Sequence, residues 1–371
     1  MHKVPLFDVS REHAALQSEL LAVFSRVLQS GVYILGEEVA KFEQLSAEYL
    51  KVGHAVGLSN GSDALYLALL ALGIGPGDEV ITSPFTFVAT AEAILRCGAT
   101  PVFADIDAAN FGLCPVSTAR MRTERTRAVL FVHLFGHPGK IQEIAEYCDR
   151  EGLFLIEDAC QAFGACAGER CVGTLGDIGV FSFFPTKPLG GFGDGGLLVT
   201  ANDTLAATVR SLRSHGVGPG GLYENLSGNY RLDAMQAALL SVKLGTVDAS
   251  RYARTCIAER YIEALQGALH VISPTAPKPP IESAWSLFTV RAPTHRDELL
   301  KHLAANGVEA RAYYPRLLSD QPIFQYRSHA DELTFARLAT DQVVSLPIYA
   351  GLSESAQDRV MDALQRFRPN A

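Results

Sequence analysis

The sequence predicts an α/β protein: a large, mostly parallel mixed sheet packed between helices, followed by a smaller C-terminal α+β unit. Three observations carry that prediction. Short apolar runs alternate with helical periodicity from His54 to Asp158, the pattern of repeated β–α units. Two more apolar runs, Val180 to Phe184 and Leu197 to Thr200, flank a turn that holds Lys187 and a glycine cluster. The proline-rich stretch SPTAPKPPIES then opens a new succession of strands and helices. We place the boundary near residue 245, giving a large domain with an N-terminal arm over 1–245 and a small domain over 246–371.

After the arm, residues 12–29 and 37–51 show helical spacing, separated by Gly31 and Gly36. HAVGLS (54–59) is a strand, and SNGSDALYLALLALG turns directly into a helix. The alternation continues with DEVITSP (strand), FTFVATAEAILRCG (helix), TPVFADI (strand), RAVLFVHLFG (strand), KIQEIAEYCDREG (helix) and LFLIEDA (strand). Beyond the lysine turn come helices over 203–215, over RLDAMQAALLSVKLG and over 247–267. The C-terminal unit reads as a strand at AWSLFTVRAP, a helix at 295–306, a strand at VEARAYYP, and helices at 331–342 and 353–367.

Composition sets the class. With 371 residues, 48% apolar and 19% charged, the chain has the make-up of a globular enzyme. A net charge of −8, without long Lys/Arg blocks, argues against a nucleic-acid footprint. No apolar run reaches the length of a membrane span, and the N-terminus lacks the apolar core of a signal peptide. Seven cysteines without a CxxC spacing fit reduced thiols in a cytoplasm. Cys160, Cys166 and Cys171 match no zinc pattern and are expected as small core residues. His133 and His137 lie either side of Gly136, and Pro138 follows, so helical metal-ligand spacing is not expected and no metal is assigned.

In a parallel sheet, ligands bind at the carboxyl ends of the strands, and the chemistry-bearing residues converge there. Lys187 sits on a turn between two buried strands, where burial disfavours its ammonium form and leaves an amine able to attack a carbonyl. Gly191, Gly193 and Gly196 fit G-x-G-x-x-G, but a strand follows instead of a helix, so a dinucleotide fold is not expected. These glycines are expected to pass close to a ligand or to need positive φ. Asn60-Gly61-Ser62-Asp63 forms a strand–turn–helix corner, with an N-cap from Ser62 or Asp63 or a phosphate on the free N–H groups. Asp158 closes the apolar strand Leu153 to Ile156 and needs donors or a cation to stay ionised. A lysine for a Schiff base and a carboxylate for a pyridinium nitrogen together suggest pyridoxal phosphate. Phe87 is a candidate to stack on the ring, and Ser182, Gly61 and Ser62 to hold the phosphate.

With these residues in view, the sequence resembles the sugar aminotransferases of the DegT/StrS group, pyridoxal phosphate enzymes of the aspartate-aminotransferase-like fold (fold type I). The resemblance runs over nearly the whole chain. It is carried by SNGSDAL, PFTFVATAEAI, FVHLFG, IEDACQAFGA, GDIGVFSFFPTKPLGGFGDGG and NYRLDAMQAALL, with weaker matches at YYPRLL and SLPIY. It implies that Lys187 is the cofactor-binding lysine and proton carrier, and that Asp158 pairs with the pyridine nitrogen. It further implies that Gln161 lies near the ring's phenolic oxygen, that Phe87 stacks, and that Gly61, Ser62 and Ser182 contact the phosphate. Asn229 matches an asparagine that reaches the phosphate across a homodimer interface. Arg231 is either a carboxylate anchor or a structural partner of Asp233; His133 and Tyr313 are further substrate candidates.

The implied reaction moves an amino group from L-glutamate to a nucleotide-linked keto-sugar in a cytoplasmic amino-sugar pathway. Pro188 follows the lysine where asparagine is usual, a variant that resembles enzymes acting on UDP-linked N-acetylated or uronic 3-keto-sugars. Phe163 and Ser319 stand where histidine is frequent and are expected to reshape the sugar pocket. A keto-inositol aminotransferase and a non-catalytic regulatory relative remain open. A sugar dehydratase of the same group does not fit, because those members lack the lysine.

Overall fold

The computed structural model describes residues 3–325, 328–330 and 332–369. In chain order it contains α1 (Val9–His13), α2 (Gln17–Ser30), α3 (Gly36–Leu50), β1 (His54–Leu58), α4 (Gly61–Ala71), β2 (Glu79–Thr82), α5 (Val88–Arg96) and β3 (Thr100–Phe103). Next come α6 (Pro115–Arg120), β4 (Thr126–Val132), α7 (Ile141–Glu151), β5 (Phe154–Asp158) and a short hairpin of β6 (Cys166–Ala167) and β7 (Arg170–Cys171). β8 (Ile178–Ser182) and β9 (Gly196–Thr200) enclose the lysine turn, and α8 (Asp203–Leu212), α9 (Ala234–Leu244) and α10 (Val247–Ala264) follow. The C-terminal part holds β10 (Ile281–Glu282), β11 (Phe288–Arg291), α11 (Arg296–Ala305), β12 (His329–Ala330), α12 (Thr334–Gln342), β13 (Val343–Leu346) and α13 (Glu354–Arg366).

The main sheet has the order β1-β9-β8-β5-β4-β2-β3-β12. Only β9 runs against its neighbours; the other pairings are parallel. Its strands read as continuous apolar runs because both faces are covered. Leu130 and Val132 pack into one core while Val129 and Phe131, their pleat neighbours, pack into the opposite one. A separate core gathers residues of α10, β11, α11, β13 and α13, and takes in Val4 from the arm.

Several sequence expectations are corrected here. VEARAYYP forms no strand: Val308 and Arg311 make only isolated bridges, to Val4 and Ser345. The expected helix over 12–29 breaks into α1, a 3₁₀ turn and α2. Of the helix expected over 331–342, Asp331 lies outside the described residues, and the helix begins at Thr334. Leu317, Phe324 and Leu333 pack into the main-sheet core although they lie C-terminal to residue 245, and β12 extends that sheet's edge. Their apolar side chains complete the layer beside β3, which proximity in sequence does not reveal. Among the described residues, no helix is long and apolar enough to cross a membrane.

Candidate active site

The carboxyl ends of β5, β8 and β1 meet around a cavity of about 970 Å³. Gly61, Ser62, Phe87, Asp158, Gln161, Ser182, Lys187 and Tyr313 all line it. The fold thus brings together eight of the residues singled out in the sequence.

Lys187 ends a tight turn in which its N–H donates to the Phe184 carbonyl at 2.9 Å. Burial lowers its pKa, opposed by the nearby Cys160 and Asp158. Asp158 is 6% exposed. Its Oδ2 accepts from Thr90 Oγ1 at 2.8 Å and its Oδ1 from the Cys160 N–H at 3.2 Å. These two donors offset part of the cost of keeping a carboxylate out of water. Thr90 is itself within 3.2 Å of Thr86 Oγ1. Gln161 is held at both ends: Oε1 accepts from the Phe135 N–H at 2.8 Å, and Nε2 donates to Tyr314 Oη at 3.2 Å.

At the corner after β1, Asn60 is the N-cap of α4; its Oδ1 accepts from the Asp63 N–H at 2.8 Å. This corrects the expectation of a cap from Ser62 or Asp63. The amino end of α4, with its free N–H groups and positive dipole end, lines the cavity. Gly61 is there for want of space: a Cβ would lie 2.8 Å from Ser182 Cβ and 2.9 Å from Cys160 Sγ. Phe87, at the N-cap of α5, keeps 54% of its surface exposed along the cavity. An apolar ring left open in this way offers a stacking face.

The glycines after Lys187 do not need positive φ, contrary to that part of the expectation, and Asp194 among them lines the cavity. None of Gly190, Gly191, Gly193, Gly195 and Gly196 has positive φ. Protein backbone leaves no room for a side chain at two of them: a Cβ on Gly190 would collide with the Pro185 carbonyl oxygen, and one on Gly196 would lie 2.5 Å from the Asn60 backbone.

Other candidates fall away from the cavity. His133 is fully buried, with Nε2 2.9 Å from Glu157 Oε2, and does not face the cavity. The cause is Glu157, a carboxylate buried on the neighbouring strand that draws the imidazole inward. Phe163 is 2% exposed and stacks on Tyr49 at 5.5 Å, so it shapes the core and not a sugar pocket. Ser319 lies outside the cavity wall, its hydroxyl turned to Asp320 at 3.4 Å. Pro188 is buried beside the arm, near Phe7 and Glu12. Asn229 is exposed and off its own chain's cavity, and its Oδ1 accepts from the Arg231 N–H at 3.5 Å. Among the described residues no ion pair joins Arg231 to Asp233, and Arg231 Nε is buried without a partner.

Tyr314, which with Tyr313 the sequence offers either as a cleft residue or as aromatic packing, lines the cavity; sequence reasoning missed Thr90, Arg96 and Arg316, which line it as well. The signal for Thr90 was a hydroxyl on the first turn of the helix after Phe87. Arg96 pairs with Asp63 at 3.1 Å and lies 4.3 Å over the Tyr66 ring. Arg316 is exposed, and among the described residues no carboxylate pairs with it. Cys160 lines the cavity as well, whereas Cys166 and Cys171 oppose each other across the β6–β7 hairpin with Sγ atoms 3.8 Å apart.

A sequence model of the DegT/DnrJ/EryC1/StrS aminotransferase family matches residues 14–365. The chain is 41% identical to the pleiotropic regulatory protein of Geobacillus stearothermophilus, covering 98% of each. It is 40% identical to dTDP-3-amino-3,4,6-trideoxy-alpha-D-glucose transaminase of Streptomyces venezuelae, over 98% of this chain and 96% of that protein. In three dimensions it is similar to the crystal structure of S. venezuelae DesV in complex with a ketimine intermediate. That match has a TM-score of 0.94 and 40% identity, over 98% of each chain.

Proposed function

The chain belongs to the DegT/DnrJ/EryC1/StrS aminotransferase family, and from that premise we propose that it carries an amino group from L-glutamate to a nucleotide-linked keto-sugar. It is a pyridoxal phosphate-dependent sugar aminotransferase. The observation that carries the reading is the pairing of a pKa-lowered lysine with a hydrogen-bonded, buried carboxylate in one large cavity.

The residues present suit the cofactor. The space left by Gly61, the amino end of α4 and the Ser182 hydroxyl make an anion cradle, which we assign to the phosphate. Asp158 would accept from the protonated ring nitrogen, and Thr90 keeps that carboxylate oriented. Phe87 offers its open face to the ring, and Gln161 its amide to the phenolic oxygen. When bound, the cofactor supplies an electron sink for the carbon from which a proton is removed. Lys187 Nζ, its pKa lowered by burial, would carry that proton between the substrate carbon and the cofactor carbon in each half-reaction. Val132, Leu65 and Leu287 add apolar side chains to the cavity wall.

The cavity volume, about 970 Å³, is at the upper end of small-molecule sites, which suits a nucleotide-linked sugar. We assign Arg316 to the anionic portion of that substrate, since it stands uncommitted on the wall. UDP-linked N-acetylated or uronic 3-keto-sugars are the first class to screen, with keto-inositols as the contrast. We also propose a cytoplasmic homodimer with shared sites. Its support is an exposed apolar stripe on α2 (Leu21 60%, Phe24 45% and Leu28 54% exposed), continued by Val32, Tyr33 and Ile34. Asn229, exposed and off its own cavity, is the residue that would reach the partner's phosphate.

The test is the visible spectrum of the purified protein before and after L-glutamate. A band from lysine-bound cofactor that bleaches on addition supports both cofactor site and donor. Turnover retained by Lys187→Ala would overturn the assignment of the lysine, and no band after pyridoxal phosphate is supplied would overturn the catalytic reading in favour of a regulatory relative.

A further inference from the structure

Gln236 and Lys243 are seven residues apart on α9, so they project from the same side of the helix. Both grip the glycine loop that follows Lys187. Gln236 Oε1 accepts from the Phe192 N–H at 2.9 Å. Lys243 Nζ donates to the Gly190 carbonyl and to His13 Nε2, the latter at 2.8 Å. The same ammonium lies 5.6 Å from the centre of the Phe192 ring.

Lys243 is 7% exposed, an expensive place for an ammonium unless partners compensate. Glu12 supplies the opposing charge nearby. That carboxylate is itself fixed by Arg254 at 2.9 Å and by the Ala350 N–H at 3.2 Å. A costly buried cation with three defined contacts marks a site where geometry matters.

The loop it holds is in rigid contact with the lysine turn. Gly190 packs so closely on Pro185 that a Cβ would collide with the Pro185 carbonyl, and the Gly191 N–H donates to the Phe183 carbonyl at 2.7 Å. A shift of the loop therefore carries the Pro185–Lys187 turn with it. The arm is coupled through His13, whose ring centroid lies 4.6 Å from that of Phe192, and Phe7 of the same arm lines the cavity.

We propose that Lys243 is a positioning residue: together with Gln236 it clamps the turn that aims Lys187 into the cavity, and through His13 it docks the N-terminal arm beside that cavity. The proposal rests on Lys187 being the reactive amine. Nothing in it requires Lys243 to touch substrate.

Three sets of variants separate the roles. Lys243→Met and Gln236→Ala, checked for a cooperative melt, are expected to lose about tenfold in kcat, the worth of one hydrogen bond, with a smaller change in KM. His13→Ala, which frees the arm but leaves the Lys243–Gly190 and Gln236–Phe192 hydrogen bonds in place, is expected to raise KM while kcat stays within about twofold. Trypsin cleavage of the apoprotein after the exposed Arg11 should accelerate in Lys243→Met and His13→Ala alike, but not in Gln236→Ala. Lys243→Arg, which keeps the charge and donors, should recover part of the lost kcat; if Lys243→Met does not fold, Lys243→Arg and Gln236→Ala decide. Wild-type kcat in folded Lys243→Met and Gln236→Ala, with unchanged cleavage after Arg11, would overturn the clamp. Lys187→Ala run alongside distinguishes the two failures: full turnover there removes the premise, whereas its loss beside an active Lys243→Met removes only the clamp.

Discussion

Replacing Gly61 with alanine tests whether the anion cradle is built by the absence of a side chain. The new Cβ would lie 2.8 Å from Ser182 Cβ, 2.9 Å from Cys160 Sγ and 3.3 Å from Ser182 Oγ. Carbon atoms prefer roughly 3.5–4.0 Å, so the nearest contact is short by about 0.7 Å or more. Neither neighbour has a flexible end to move: Ser182 ends a central strand, and Cys160 Sγ is one bond from its Cβ. Overpacking of this kind costs about 1–3 kcal/mol, and the better helix propensity of alanine returns at most about 1. The melting temperature should fall by no more than about 4 °C, since a chain of this size unfolds with an entropy of about 0.8 kcal/mol/K. Ser182 must yield, however, and a lost hydrogen bond to a charged group is worth about 1.5–3 kcal/mol. The dissociation constant for pyridoxal phosphate should therefore rise by about 10- to 150-fold. The assay is titration of the apoprotein with cofactor, followed by absorbance, beside a thermal melt. Gly53→Ala is the control, because its Cβ would meet nothing nearer than 3.6 Å. Wild-type cofactor affinity in Gly61→Ala would refute the reasoning.

Three further outcomes follow from the same geometry. Asp158→Asn, which keeps the shape but removes the charge, should lower kcat by about 10- to 150-fold; Thr90→Val should lower it less, by about tenfold, in steady-state assays. Arg316→Ala should raise KM for a nucleotide-linked keto-sugar by about tenfold while the L-glutamate half-reaction, followed by bleaching of the cofactor band, stays unchanged. Burial lowers the Lys243 pKa to about 8 from its ordinary 10.5. Between those values the unfolded chain binds the extra proton, so stability rises with pH; below about 8 both states are protonated and the burial penalty is fully present. Denaturant titrations should show wild type gaining on Lys243→Met from about pH 8 upward, and a flat difference would contradict this.

The sequence carried the parts of the site that are local. Lys187, Asp158, Gly61 and Phe87 each sit where an apolar run stops and a turn begins, and the carboxyl end of a parallel strand opens toward the ligand side. Alternating apolar runs and helical spacing located the strands and helices for the same reason, since burial on a pleat or a helix face follows short-range periodicity. His133 obeyed the same positional rule and yet turned away, because its partner Glu157 sits on the neighbouring strand and is fully buried.

What the tertiary structure alone decided is which distant residues support those local ones. Thr90 steadies Asp158 from 68 positions away, Tyr314 meets Gln161 across 153, and Lys243 reaches His13 across 230. The close packing of Gly190 on Pro185 and of Gly196 on Asn60 is also invisible in the sequence. The antiparallel placement of β9 and the addition of β12 at the far edge likewise depend on which surfaces meet. Periodicity records whether a side chain is buried; only packing determines against what.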